Sequence, residues 1–166
     1  MHRETLRLLM PGWSHPTLPV ILHRGLLPPD PDRAEAHVAR HGWRALWRDG
    51  VFDYDHFHSN AFEALGVLSG RARLRLGGPE GQPVDVAPGD LLILPPGTGH
   101  ARMEASEDFL LFGAYPEGQG EWDICRAPAD PVTAERIAAV PRPATDAAGA
   151  PWEALGPGAV AGRIGT

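Results

Sequence analysis

The amino-acid sequence predicts an all-β fold, a sandwich or barrel of short strands with one or two short helices at its flanks. Glycine (20) and proline (18) are frequent among the 166 residues and only 22% of the residues are charged, which is typical of short elements joined by tight turns. Between residues 51 and 115, short apolar runs alternate with glycine and proline turns. Within that region Arg71–Leu76 alternates strictly between arginine and apolar residues, as expected of a strand with one buried face.

Two elements are predicted before that region. The apolar run Leu18–Leu22 is bounded by prolines and by an Arg-Gly pair, which predicts a strand that begins the barrel or pairs across a dimer. A helix is predicted over Pro31–His41, because Asp30 can cap its first turn, proline is favoured at the first helical position and Gly42 ends the pattern.

Seven strands are predicted in the central region. The turns between them are marked by glycine and proline, as in Ser69-Gly70, Gly77-Gly78-Pro79, Pro88-Gly89 and Pro95-Pro96-Gly97. The predicted strands span residues 51–58, 61–69, 71–77, 83–87, 90–94, 99–104 and 108–115.

A second helix is predicted over Pro131–Val140, since Asp130 can cap it and Pro141 ends it. The tail that follows has little to bury beyond Trp152 and Leu155. We therefore expect this tail either to wrap the barrel or to be mobile.

The length predicts one domain over residues 1–166, long enough to bury its own core. We expect the barrel core to span about residues 18–123, with a C-terminal helix and tail over residues 130–166.

The charge composition excludes two classes of function. The formal charge of −6 argues against nucleic-acid binding, because phosphate recognition needs a concentrated basic surface. All 15 basic residues are arginine, so mechanisms that need a lysine amine are excluded as well.

A single cysteine, Cys125, has no internal partner for a disulfide, which fits a reducing compartment. The N-terminal apolar stretch is too short for a signal-peptide core, and no run is long enough to span a bilayer. We expect a cytoplasmic protein without membrane contact.

The first group of candidate metal ligands is His56, His58 and Glu63. Residues two apart in a strand point to the same face, so both imidazoles should point inward together. Glu63 follows a short turn at Ser59-Asn60, on the strand that returns beside them. The spacing thus predicts three ligands on adjacent strands.

A fourth candidate ligand is His100. It opens the strand that returns after the apolar run Leu91–Leu94 and the rigid Pro-Pro-Gly turn. Together the two groups form the pattern G-x5-HxH-x4-E-x6-G followed by G-x5-P-x-G-x2-H.

This pattern resembles the two sequence blocks of the cupin superfamily at every position, with residues 71–88 as a compact segment between the blocks. The flanking segments Trp47–Tyr54 and Gly113–Pro116 are similar in sequence to those of the small bacterial YjlB-like cupins. The resemblance implies a jelly-roll β-barrel. One departure is Glu104, where many cupins carry an asparagine that lines the pocket.

Three imidazoles and a carboxylate suit one divalent transition metal, namely Fe, Mn, Ni, Co, Cu or Zn, and they disfavour Ca²⁺. A six-coordinate ion would keep two positions for water, substrate oxygens or dioxygen.

Three further residues are candidates for the substrate pocket: Tyr54, Arg102 and Glu104. Arg102 can bind a substrate carboxylate or instead pair with a neighbouring acid. Isolated histidines are usually surface or packing residues, an interpretation that applies to His2, His15, His23, His37 and His41. Likewise, we expect tryptophans outside the blocks to cover the barrel exterior or a dimer interface, namely Trp43, Trp47 and Trp122.

The favoured function is a metal-dependent enzyme on a small organic molecule, with a dioxygenase-type oxidation preferred. One alternative is a sugar or keto-acid isomerase or epimerase with a redox-inert ion. The other is a non-catalytic cupin that binds a small molecule or a metal. Strand pairing at Leu18–Leu22 predicts a homodimer. No catalytic residue beyond the metal ligands is predicted.

Overall fold

Ten strands and two helices are present in residues 2–152 and 162–165, the part of the chain that this computed structural model describes. The helices are α1 (Pro31–Ala39) and α2 (Pro131–Ala139). The strands are β1 (His2–Arg7), β2 (Val20–Arg24), β3 (Trp43–Asp49), β4 (Glu63–Ser69), β5 (Ala72–Leu76), β6 (Gln82–Val86), β7 (Leu91–Leu94), β8 (His100–Ala105), β9 (Leu110–Pro116) and β10 (Gly162–Gly165).

The strands form two antiparallel sheets. The larger has the order β10-β1-β2-β7-β4-β9-β3, and the smaller has the order β6-β5-β8. Connections between non-neighbouring strands carry the chain from one sheet to the other, as in a jelly roll. The all-β prediction with two flanking helices is confirmed.

The main core lies between the two sheets. Leu74 and Leu76 of β5 are fully buried there, against Leu65 of β4 and Leu92 of β7. The alternation predicted for Arg71–Leu76 is observed, because the apolar residues of β5 face this core while its arginines face outward.

A second core covers the opposite face of the large sheet. Ala34 and Val38 of α1 are fully buried with Ile93 of β7 and Phe112 of β9. The large sheet is therefore buried on both faces, which explains why Leu91–Leu94 is apolar at every position.

The strand predicted over residues 51–58 is wrong. Only isolated bridges occur there, between His56 and His100 and between Phe57 and Cys125. The strand at this edge is β3, which the sequence analysis missed because a register shift between Ala45 and Trp47 interrupts its alternation. Strand β1 was missed as well.

The predicted strand at Leu18–Leu22 is observed as β2, but it offers no free edge. Ile21 pairs with Ile93 of β7 on one side, and Leu22 pairs with Glu4 of β1 on the other. The proposal that this strand pairs across a dimer is therefore wrong.

The first part of the C-terminal tail packs against the protein. Trp152 contacts the ring of Phe62, with 5.3 Å between ring centroids, and its Nε1 donates to the carbonyl oxygen of Pro143 at 2.7 Å. Buried Asp146 accepts hydrogen bonds from the backbone of Ala148 and Ala150.

Leu155 lies outside the described residues, as do the other residues of 153–161. The division into a core over residues 18–123 and a tail over residues 130–166 stays a prediction, although β1 and β10 extend the large sheet beyond that core. Within the described residues, neither nine-residue helix has the length and hydropathy to span a bilayer.

Candidate metal centre

Four predicted ligands lie at one end of the space between the sheets. Glu63 is the first residue of β4 and His100 is the first residue of β8. His56 exchanges both backbone hydrogen bonds with His100, which brings its segment alongside β8, and His58 follows two residues later. All four side chains are buried.

The ligand atoms of these side chains converge. One ligand atom from each of His56, His58 and His100 lies within 4.8 Å of those of the other two. The two oxygens of Glu63 face different imidazoles, with Oε2 at 3.2 Å from His58 Nε2 and Oε1 at 3.2 Å from His100 Nε2. The structure thus brings together the four residues that the spacing selects.

The backbone fixes which nitrogen of each imidazole points inward. Nδ1 lies 3.0 Å from the carbonyl oxygen of Tyr54 in His56, 2.5 Å from that of Asp123 in His58 and 2.9 Å from that of Thr98 in His100. A carbonyl oxygen only accepts, so each Nδ1 must carry the hydrogen. In the neutral imidazole the lone pair is then on Nε2, the nitrogen that a metal ion would take.

The protonation states suit a cation at this place. Burial opposes ionisation of Glu63, but the neighbouring imidazoles of His58 and His100 outweigh it and hold the pKa of this carboxyl well below its usual value. Burial, reinforced by His100, lowers the pKa of His56 to about 3. An ionised carboxylate and at least one neutral imidazole are therefore present at neutral pH.

His58 behaves differently from His56. Burial lowers its pKa, but the charge of Glu63 and their hydrogen bond overcome that effect, and the pKa of His58 is raised. A buried carboxylate needs a positive partner, and a proton on this imidazole or a metal ion can fill that role. The donor set thus fits a divalent transition metal.

A cavity of about 610 Å³ leads from these four residues to the surface. Its walls are mainly apolar and aromatic, and they include Trp47, Val51, Leu65, Tyr115 and Trp122. This volume lies within the range that holds small organic ligands.

Comparisons with known proteins identify the family. A model of the cupin domain matches residues 48–108, which contain all four converging side chains. The chain is also 38% identical over 122 residues to the uncharacterized protein YjlB of Bacillus subtilis strain 168, covering 71% of this chain and 73% of YjlB. This chain belongs to the cupin family.

The solved structures to which this cupin is similar have low sequence identity to it. Procruciferin, an 11S globulin from Brassica napus, is 23% identical with a TM-score of 0.40 over 50% of this chain, which spans only 22% of the globulin. A DUF861 family protein from Thermotoga maritima is 18% identical with a TM-score of 0.35, over 57% of this chain and 96% of that protein. Acireductone dioxygenase from Bacillus anthracis, with a cadmium ion in its active centre, is 21% identical with a TM-score of 0.33, over 63% of this chain and 51% of the dioxygenase.

A hydrogen-bond relay holds Glu63 of the cupin site in place. The hydroxyl of Tyr115 donates to Glu63 Oε2 at 2.5 Å, and Trp47 Nε1 donates to the same hydroxyl oxygen at 2.8 Å. Burial and the charge of Glu63 raise the pKa of Tyr115, so the phenol keeps its proton. Gly113 makes room for this relay, because a Cβ there would lie 2.2 Å from the Trp47 ring.

Of the three tryptophans predicted to cover the barrel exterior or a dimer interface, Trp43 does cover the outer face of the large sheet, whereas Trp47 and Trp122 do not. Trp43 is fully buried against Phe62, with 6.4 Å between the ring centroids. Trp47 and Trp122 line the cavity, and Trp122 stacks on Tyr115 at 4.2 Å with an interplanar angle of 4°. The exterior interpretation failed for Trp47 because β3 was not recognised, and its register shift between Ala45 and Trp47 turns Trp47 to the face opposite Trp43.

Asp123 is a further residue that the sequence analysis missed. Its carboxylate accepts hydrogen bonds from the backbone N–H and the hydroxyl of Ser59, while its carbonyl oxygen accepts from His58 Nδ1. The segment around Trp122 is thereby tied to the loop that carries His58. Only the fold brings these residues together, since they are more than 60 positions apart.

The three predicted pocket residues have different positions. Arg102 lines the cavity, while the ring of Tyr54 stacks on Phe52 and carries the guanidinium of Arg126 at 3.7 Å. Tyr54 contacts the site through its carbonyl oxygen. Glu104 is exposed on the outer face, opposite Arg73, because the register shift after Arg102 reverses the direction of its side chain.

Proposed function

We propose that this cupin is a metal-dependent enzyme that acts on a small organic molecule, with one divalent transition metal held by His56, His58, Glu63 and His100. The observation that carries the proposal is the convergence of three backbone-oriented imidazoles and an ionised carboxylate at the inner end of an open cavity. Such donors bind Fe, Mn, Ni, Co, Cu or Zn, and four protein ligands leave coordination positions for a substrate.

Of the reaction classes open to this site, we propose an oxidation of the dioxygenase type. The bound metal would supply redox or Lewis-acid chemistry. Apolar walls at Val51, Leu65 and Trp122 support this choice, because they would accept dioxygen, an apolar gas, beside the metal position. Tyr115 and Trp47 would keep Glu63 oriented through the reaction.

Elemental analysis of the untagged protein, purified without a metal-affinity column, tests the metal site first. About one equivalent of Fe, Mn, Ni, Co, Cu or Zn per chain supports the proposed metal site. Less than about a tenth of an equivalent of any of the six metals, after dialysis against a mixture of them, would overturn the metal site itself. The variant His100→Ala is the control, since it removes one donor.

The reaction class needs a separate measurement. Mass spectrometry of the small molecules released from the purified protein identifies a trial substrate, and an oxygen electrode follows its turnover. Oxygen consumption in step with loss of that molecule supports an oxidation. Stoichiometric zinc together with no oxygen uptake would overturn it in favour of isomerisation, epimerisation or binding alone.

We further propose that the protein is a cytoplasmic homodimer. The single cysteine, Cys125, is partly buried and unpaired, which fits a reducing compartment. The dimer contact must lie elsewhere than β2, since β2 is paired on both sides. Light scattering at micromolar concentration distinguishes the dimer from a monomer of 17.8 kDa.

A further inference from the structure

We infer that the substrate is a small organic monoacid with an apolar or aromatic body, bound with its carboxylate on Arg102 and its other end toward the four converging ligands. This inference rests on the proposed function, because it assigns a substrate class to the same cavity. Its basis is the position, the contacts and the surroundings of Arg102.

Arg102 follows His100 by two residues on β8. The two residues pair with Leu74 and Leu76 of β5, which face the space between the sheets, so both side chains point to the cavity side. Two residues of strand separate their Cα atoms by about 7 Å. A ligand of a few bonds can therefore reach both the metal position and the guanidinium.

The guanidinium of Arg102 is weakly held by the described residues. Its Nη1 lies 3.4 Å from the carbonyl oxygen of Val51, and its Nη2 lies 3.9 Å from a carboxylate oxygen of Asp53, whose side chain is 72% exposed. On the neighbouring strand, Arg75 makes two hydrogen bonds to Asp55 at 3.1 and 2.8 Å. Arg75 is thus already paired within the fold, whereas the planar guanidinium of Arg102 can still bind a carboxylate through two hydrogen bonds.

The surroundings of Arg102 limit the charge of the ligand. Among the described residues that line the cavity, Arg102 is the one guanidinium or ammonium group, and two acids, Asp49 and Asp53, line the same cavity. At this end of the cavity, away from the metal position, the two carboxylates would repel a second negative charge, since Arg102 is the one side-chain cation there. The site therefore favours a single negative charge on the part of the ligand that meets Arg102.

The rim of the cavity indicates an apolar ligand body. Leu46, Phe52 and Ile124 line the opening, and they are 41%, 49% and 47% exposed. Large apolar side chains at such exposure commonly mark a binding surface when they are contiguous. With Trp122 further inside, they provide a wall against which a flat hydrocarbon portion can pack.

The test compares two probes on the cobalt(II)-loaded protein under argon. Both 3,4-dihydroxyphenylacetate and 4-methylcatechol can chelate the metal through their hydroxyls, but only the first carries a carboxylate at the opposite end of the ring. The cobalt absorption bands report binding of each probe. We expect the acid to bind at least about 10-fold more tightly, as one charge-assisted pair allows.

Matched variants assign this preference to its residue. Arg102→Gln should bring the affinity ratio of the two probes to about one, whereas Arg73→Gln, with the same loss of charge outside the cavity, should leave it unchanged. If Arg102→Gln does not give the cobalt spectrum of a folded site, Arg102→Lys replaces it. The affinity ratio of the two probes should then lie between one and the wild-type value, because lysine keeps the positive charge but lacks the planar guanidinium.

Two outcomes would overturn the inference while the metal site stands: equal affinity of the wild-type protein for both probes, or a ratio that survives Arg102→Gln. The cobalt spectrum recorded before any probe is added tests the proposed function separately. A wild-type protein that takes up no cobalt would overturn both.

Discussion

The space between the two sheets has two ends, which are bounded by the same two sheets and behave as opposites. At one end, the leucine end, Leu6, Leu22 and Leu92 fill the interior with apolar side chains. At the other end, buried polar side chains surround an open cavity. Leu65 of β4 lies between the two ends, because it lines the cavity and pairs with Leu92 of β7.

The two ends differ in what stabilises them. Burial of leucine side chains favours folding without any partner. Burial of a carboxylate with three imidazoles costs free energy unless each polar atom is bonded, and here backbone carbonyls, Tyr115 and the imidazoles themselves provide the bonds. We therefore expect the leucine end to determine stability and the polar end to determine metal binding. A substitution at one end should have little effect on the property that the other end determines.

The largest effect is expected from removal of a ligand. His100→Ala should reduce bound metal from about one equivalent per chain to less than about a tenth, because three donors no longer enclose the ion. Metal is measured by elemental analysis after dialysis. His2→Ala, at an exposed position of β1, serves as the control and should bind like the wild type. A His100→Ala protein with full metal would contradict the assignment of this residue.

The leucine end is tested by Leu92→Ala. This side chain is fully buried, so its truncation should lower the free energy of unfolding by about 2–5 kcal/mol, from lost apolar burial and the cavity left behind. Urea unfolding of the metal-free protein gives the value. Leu46→Ala, at a position 41% exposed, should cost less than about 1 kcal/mol. Loss of metal stoichiometry in folded Leu92→Ala would show that the two ends are not independent.

The difference between the two ends also explains what the sequence predicts. Alternation along β5 is a local pattern, and the spacing of His56, His58 and Glu63 is local as well, so both can be recognised in the sequence. His100 is recognisable because its turn is rigid. These patterns suffice for the all-β class and for the choice of the four converging side chains.

The support of the site is not local and was missed. Tyr115 is 52 residues from Glu63, and the carbonyl of Asp123 is 65 residues from His58. Strand pairing alone brings them together. Trp47 was misassigned for a related reason, because the register shift within β3 hides the alternation that would have turned this side chain inward.

Such support should have a smaller effect than a ligand itself. Tyr115→Phe removes the hydroxyl that donates to Glu63, so the carboxylate becomes less well oriented, and the metal affinity should fall about 10- to 100-fold. Competition with a chromophoric chelator measures the change. Tyr54→Phe is the matched control, since it removes a hydroxyl but keeps the backbone carbonyl and the ring that contact His56, and it should leave the affinity unchanged. Equal effects of the two substitutions would exclude the relay.

The smallest effect is expected at His15, a histidine outside the site. It differs from the site histidines in whether Nδ1 of the imidazole donates or accepts a hydrogen bond. In the site each Nδ1 donates to a carbonyl, whereas Nδ1 of His15 accepts from the backbone N–H groups of Thr17 and Leu18 at 3.1 and 3.0 Å. Burial, with the nearby charge of Arg7, lowers the pKa of His15 to about 4 from 6.5. Protonation would remove the lone pair that both N–H groups use.

The sign of the pH dependence follows from that pKa. Because the folded protein resists protonation of His15 while the unfolded chain does not, the stabilisation is complete above pH 6.5 and is lost as the pH falls toward 4. His15→Asn keeps an acceptor that does not titrate. Between pH 7 and pH 5, the metal-free wild type should lose more stability in urea unfolding than this variant, by less than about 1.4 kcal/mol per pH unit, since His15 is partly exposed. Equal losses would show that this imidazole is not held as an acceptor.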